Sequence, residues 1–159
     1  EYIPGGDLLQ RIPANGFPEM KCLRLFIQLA DAVQHIHDLN IVHRDIKNDN
    51  IVVDGNGNLR LIDFGFATRV DEAERVDYYV GTTQYMSPEI LLYEERHKTK
   101  KEMMYPCAVP RRTVATSDLD LMACDVWSAG VVMFTMLTGR CVFVPLLVYM
   151  YVYACVSVF

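Results

Sequence analysis

The sequence predicts an α+β domain that is mainly α-helical and carries one small β-hairpin. Three observations predict it: apolar residues at three- and four-residue steps from Cys22 to Ile36, two β-rich runs around a glycine- and asparagine-rich turn at 54–58, and an almost unbroken apolar pattern from Asp118 to Leu137. Of the 159 residues, 52% are apolar and 22% charged, which suits one packed domain and excludes a disordered one.

Taken in order, the chain opens with Glu1-Tyr2-Ile3-Pro4-Gly5-Gly6-Asp7, where Asp7 after two glycines is placed to cap a helix. Pro18-Glu19 then starts a helix in which Cys22, Leu25, Phe26, Leu29, Val33 and Ile36 face one core and Asn40 is the stop. His35 and His37 point in different directions on that helix, so they are read as structural or surface residues and not as a metal pair. Ile51-Val52-Val53 and Leu59-Arg60-Leu61-Ile62 flank Asp54-Gly55-Asn56-Gly57-Asn58, the pattern of a β-hairpin. From Asp118 to Leu137 the apolar residues run nearly all round, which predicts a buried central helix stopped by Thr138-Gly139.

The net charge of −5 gives no general attraction to nucleic acid or anionic lipid. Cys22, Cys107, Cys124, Cys141 and Cys155 form no C-x-x-C pair and are odd in number, which fits a reducing compartment, cytoplasmic or nuclear, and no zinc site.

Chemistry-bearing residues concentrate in Val42-His43-Arg44-Asp45-Ile46-Lys47-Asn48-Asp49-Asn50 and in Asp63-Phe64-Gly65. A hairpin brings its outer ends together, so Asn50 and Asp63, one at each end, can meet as oxygen ligands around one site. Taken singly, Asp45 reads as a turn aspartate and Asp63 as a cap.

These two segments, with Glu1 to Leu8, Gly81-Thr82-Thr83-Gln84-Tyr85-Met86-Ser87-Pro88-Glu89 and Asp125-Val126-Trp127-Ser128-Ala129-Gly130, resemble in sequence and order the hinge, catalytic loop, metal loop, activation-segment end and central helix of a protein kinase. The resemblance covers residues 1–140 and implies a kinase-like C-lobe with its hairpin at the catalytic site. It implies that Asp45 handles the proton of the substrate hydroxyl, Lys47 stabilises the transferring phosphate, and Asn50 and Asp63 hold Mg²⁺. Lys47 and a Thr82 that bridges Asp45 and Lys47 imply a serine/threonine kinase, and Phe66 implies a preference for serine. At the nucleotide end, the backbone of Glu1 and Ile3 matches the adenine contacts, Asp7 the ribose contact and Val52 the adenine face. Asp7 and Asp49 also match positions that favour basic residues in the substrate. His43 and Phe64 match a structural stack, Asp125 the anchor of the catalytic loop, and Arg44 a partner for activation-loop phosphate, although that loop offers Tyr78 and Tyr79 where serine or threonine is usual. The implied cofactors are ATP and Mg²⁺, and the implied partner is a protein with a serine or threonine hydroxyl.

The sequence contains no G-x-G-x-x-G loop, no V-A-I-K lysine and no αC glutamate, so the N-lobe of the resemblance is absent and residues 1–159 alone are expected to be inactive. A non-catalytic binding or scaffold module is the alternative reading. Glu89 is expected to be buried without its arginine partner. An inserted loop is expected near 91–117. The uncharged stretch 141–159 has the length of a membrane span but follows directly on a helix that the resemblance buries; it does not resemble the family, and it is open to three readings, a gene-model or splicing artefact, a true span that would make the protein membrane-attached, and local burial.

Overall fold

The computed structural model describes residues 6–75, 80–91 and 119–140. The expected features at Glu1, Ile3, Tyr78, Tyr79, most of the 91–117 loop and the 141–159 tail lie outside these residues. Three α-helices, α1 (Leu8–Arg11), α2 (Glu19–Asp38) and α3 (Leu121–Thr138), are described together with two antiparallel two-stranded sheets. One sheet pairs β2 (Ile51–Val53) with β3 (Leu59–Leu61) in the register Ile51↔Leu61 and Val53↔Leu59, which is the expected hairpin. The other pairs β1 (Ile41–Val42) with β4 (Thr68–Arg69).

Asp7 caps α1 by accepting from the Gln10 N–H at 2.9 Å. Pro18 stands at the N-cap of α2, where its missing N–H costs nothing, and Asn40, at φ 57°, leaves the helix in the left-handed region that asparagine tolerates. Cys22, Leu25, Leu29, Val33 and Ile36 are buried along α2, and Phe26 is partly buried against the same cluster. Across from them Val131, Val132 and Met136 of α3 complete the core with Ile46, Ile51, Val53 and Leu59. Each such side chain stabilises by roughly 1.5–3 kcal/mol relative to exposure.

α3 departs from the expectation of burial all round. Val126, Trp127, Phe134 and Leu137 are exposed, because its described neighbours, α2, β1 and the 3₁₀ turn Thr83–Tyr85, all pack on the opposite face. α3 is long and apolar enough to cross a membrane by length and composition, but its buried face belongs to this core.

The C-terminal end of α3 meets the loop before α2 backbone to backbone. The Phe17 N–H donates to the Met136 carbonyl at 2.7 Å. A Cβ on Gly16 would lie 2.1 Å from the Leu137 carbonyl oxygen, and one on Gly139 2.4 Å from that of Ala14. Both glycines also have positive φ, 77° and 68°, so two requirements select glycine at each.

Asp54 organises the hairpin turn. It accepts from the Asn58 and Asn56 N–H groups at 2.8 and 2.9 Å and from Asn58 Nδ2 at 3.2 Å, and these bonds, led by the Asn58 backbone, hold its carboxyl below the usual range. A lowered folded-state pKa stabilises above the ordinary carboxylate value and is lost as pH falls through the lowered one. Asp54→Asn should therefore be less stable than the parent at pH 7, with the gap closing on acidification. Urea midpoints across that pH range check it, and a gap that is flat with pH would refute the role given to Asp54.

Candidate functional site

The site is built where β1 leaves the core and residues 43–50 turn back over α3. Arg44 sits at φ 67°, a strained backbone for a non-glycine residue, and the fold holds it there through Asp125. The Asp125 carboxylate, 1% exposed at the start of α3, accepts from the His43 N–H at 2.8 Å, the Arg44 N–H at 2.9 Å and His37 Nε2 at 3.0 Å. A buried carboxylate with three donors is compensated for its desolvation, and here it dictates the backbone leading into Asp45. His43 is fully buried, its ring edge-on to Phe64 at 4.8 Å and its Nε2 3.1 Å from the Ile62 carbonyl.

Asp45 lies at the centre of a closed network. Lys47 Nζ is 2.7 Å from Asp45 Oδ2 and 3.0 Å from Thr82 Oγ1, and Thr82 Oγ1 in turn donates to Asp45 Oδ1 at 3.0 Å. Asn50 Nδ2 contacts both the Asp45 carbonyl and Asp45 Oδ2 at 2.9 Å. Thr82 can reach Asp45 because Gly81 precedes it: a Cβ there would stand 2.5 Å from the Arg44 carbonyl oxygen, and φ is 98°. The carboxylate is thus fixed in position while its ammonium partner remains partly open to solvent, an arrangement able to orient a hydroxyl and offer positive charge beside it.

Asn50 and Asp63 stand at the paired ends of the hairpin, where the Ile62 N–H donates to the Asn50 carbonyl at 2.9 Å. With its Nδ2 spent on Asp45, Asn50 can offer a cation its Oδ1 oxygen. Asp63, at φ 62° and exposed, keeps its turn through the Gly65 N–H, which donates to Oδ1 at 3.1 Å. Among the described residues no three His, Cys, Asp or Glu side chains converge. An amide and one carboxylate suit Mg²⁺, a hard cation that takes its remaining ligands from water and phosphate.

Asp7 and Val52 are brought together by an antiparallel bridge. Gln10 engages both Asp7 oxygens, Oδ1 through its N–H and Oδ2 through Nε2 at 2.6 Å. Arg44 Nε donates to the Phe66 carbonyl at 2.6 Å, while Phe66 and Asp49 are exposed. Glu89 corrects its expectation, since it is solvent-exposed on a helical turn over residues 88–91. A carboxylate without a guanidinium partner is more stable in water than in the core.

Beneath Asp45 a small cavity is lined by Ile46, Tyr85, Met86, Ile90, Leu121 and Cys124. Burial pushes the Cys124 thiol up, and Ser87 Oγ lies 3.1 Å from it, so it is a neutral packing group at pH 7. Sequence reasoning gave no role to Asn48, Ser128 or Gln28, whose Oε1 accepts from the Leu59 N–H at 2.8 Å and ties the hairpin to α2. Their signal is tertiary, and only Gly81, as a glycine beside a motif threonine, was open to notice.

Comparison with known proteins follows the same lines. The protein kinase domain profile matches residues 1–118. CBL-interacting protein kinase 4 of Oryza sativa subsp. japonica is 34% identical over 146 residues, 88% of this chain and 27% of that protein. Serine/threonine-protein kinase SCH9 of Saccharomyces cerevisiae is 34% identical over 140 residues, 87% of this chain and 14% of that protein, and sperm motility kinase 3A of Mus musculus is 33% identical over 141 residues, 88% and 23%. The chain therefore spans about a quarter or less of the length of these relatives. With the Asp45 network and the hairpin ends placed as they are, the match over most of the sequence leads to one conclusion: the chain belongs to the protein kinase catalytic-domain family.

Proposed function

We propose that residues 1–140 are part of the C-lobe of a serine/threonine protein kinase, with an insertion near 91–117, and that the whole protein transfers the γ-phosphate of ATP to a protein serine or threonine hydroxyl. The observation that carries this reading is the closed contact among Asp45, Lys47 and Thr82. Asp45 accepts the hydroxyl proton and aims its oxygen. Lys47 presents its charge to the phosphoryl oxygens, and Thr82 keeps both side chains in register with the segment over which the substrate lies. Mg²⁺, when bound, neutralises phosphate charge; Asn50 and Asp63 are the residues of this chain that would hold it. The backbone of Glu1 and Ile3, the carboxylate of Asp7 and the side chain of Val52 form the chain's share of the nucleotide site.

Asp63→Ala in the full protein should abolish phosphotransfer and weaken Mg²⁺-dependent nucleotide binding, and phosphoamino-acid analysis of a generic substrate should show phosphoserine and phosphothreonine. Phosphotyrosine as the main product would overturn the reading. A second reading, a binding or scaffold module, draws on Gln10, which engages both oxygens of the carboxylate assigned to ribose. Nucleotide or partner binding with no transfer by the full protein would favour it.

A further inference from the structure

Two 3₁₀ turns face each other across the site, Asn48–Asn50 capped by Lys47 and Thr83–Tyr85 capped by Thr82. The cap residues are joined by the 3.0 Å contact from Lys47 Nζ to Thr82 Oγ1. A second rung joins the same turns: Asn48 Nδ2 donates to Tyr85 Oη at 3.0 Å, with Asn48 fully buried and Tyr85 4% exposed. Tyr85 is held on its other sides too, its N–H donating to the Thr82 carbonyl at 2.9 Å and its carbonyl accepting from Ser128 Oγ of α3 at 2.8 Å. One contact between two turns permits a pivot, whereas two fix orientation as well as distance.

Stability does not account for Asn48. Its Oδ1 is buried and has no hydrogen-bond partner among the described residues. An apolar side chain of similar size would avoid that desolvation cost. We propose that Asn48 is a positioning residue, which through the Tyr85 hydroxyl holds residues 82–85 square to the catalytic loop so that Thr82 Oγ1 contacts Asp45 and Lys47 together. Only the effect on activity rests on the kinase reading; the effect on the segment's rigidity does not.

The test compares the full protein with Asn48→Leu, Tyr85→Phe and the double variant by amide hydrogen exchange over residues 81–86, by urea midpoint, and by kcat and KM for ATP with a generic peptide substrate. Each single variant should speed exchange in this segment at least tenfold and lower kcat about tenfold or more, with KM for ATP within twofold of the parent. The double variant, freed of the orphaned polar atoms, should regain the parent's urea midpoint while keeping fast exchange and low kcat. Exchange and kcat within twofold of the parent in both single variants would overturn the proposal, as would recovery of kcat together with stability in the double variant. A parent without phosphotransfer whose segment still loosens in the single variants supports the tie and refutes the kinase reading.

Discussion

Asp45→Asn is expected to reduce phosphotransfer by the full protein by about 10²–10⁴-fold, the range that loss of a positioned proton acceptor produces. The substitution is nearly isosteric: the one remaining side-chain oxygen can keep Lys47 and Asn50 as donors while the new amide N–H donates to the Thr82 hydroxyl oxygen. The charge opposite Lys47 Nζ, 2.7 Å away, is what disappears. A charge-assisted bond replaced by a neutral one costs about 1 kcal/mol, far too little to unfold the domain, so the activity loss should appear with a nearly unchanged urea midpoint. Steady-state kcat beside an equilibrium unfolding curve checks both halves. Activity near the parent level would remove Asp45 from the chemistry.

Asp125→Ala should act through the opposite balance. Removing a buried carboxylate that accepts from the His43 and Arg44 N–H groups and faces His37 leaves interior donors without partners, a loss of about 3–5 kcal/mol. The left-handed Arg44 backbone loses its clamp at the same time, so Asp45 should drift and activity should fall together with stability. Asp125→Asn, which retains one acceptor oxygen, should lie between. Urea unfolding of the two variants checks the order, and an alanine variant as stable as the parent would show that the anchor is dispensable.

How much of this was legible in the sequence differs from element to element. α2 was readable to within a residue or two because its apolar spacing is regular and Pro18 and Asn40 mark its ends. The β2–β3 hairpin was readable because its turn residues are specific. The β1–β4 sheet was not, since two-residue strands carry no periodicity. α3 was placed correctly as a helix, but its burial was overread: Val126, Trp127, Phe134 and Leu137 share one exposed face, and an apolar pattern does not say what covers it. At the site, Asp45, Lys47 and Thr82 come together as their motif positions imply, 37 residues apart between Asp45 and Thr82. Asn48 and Ser128 were silent because their roles are fixed by partners distant in sequence.

The backbone seam between the loop at Gly16 and the end of α3 has a consequence for the order in which the domain assembles. Its Phe17 to Met136 bond spans roughly 120 residues, a separation whose closure costs about 4 kcal/mol and is met by the α2–α3 core and not by the seam itself. Such a contact belongs to the last events of folding, after α2, the hairpin and the α2–α3 core have already brought its two sides near. Damage at Gly16 or Gly139 is therefore felt in how fast the finished domain opens, and hardly at all in how fast it forms.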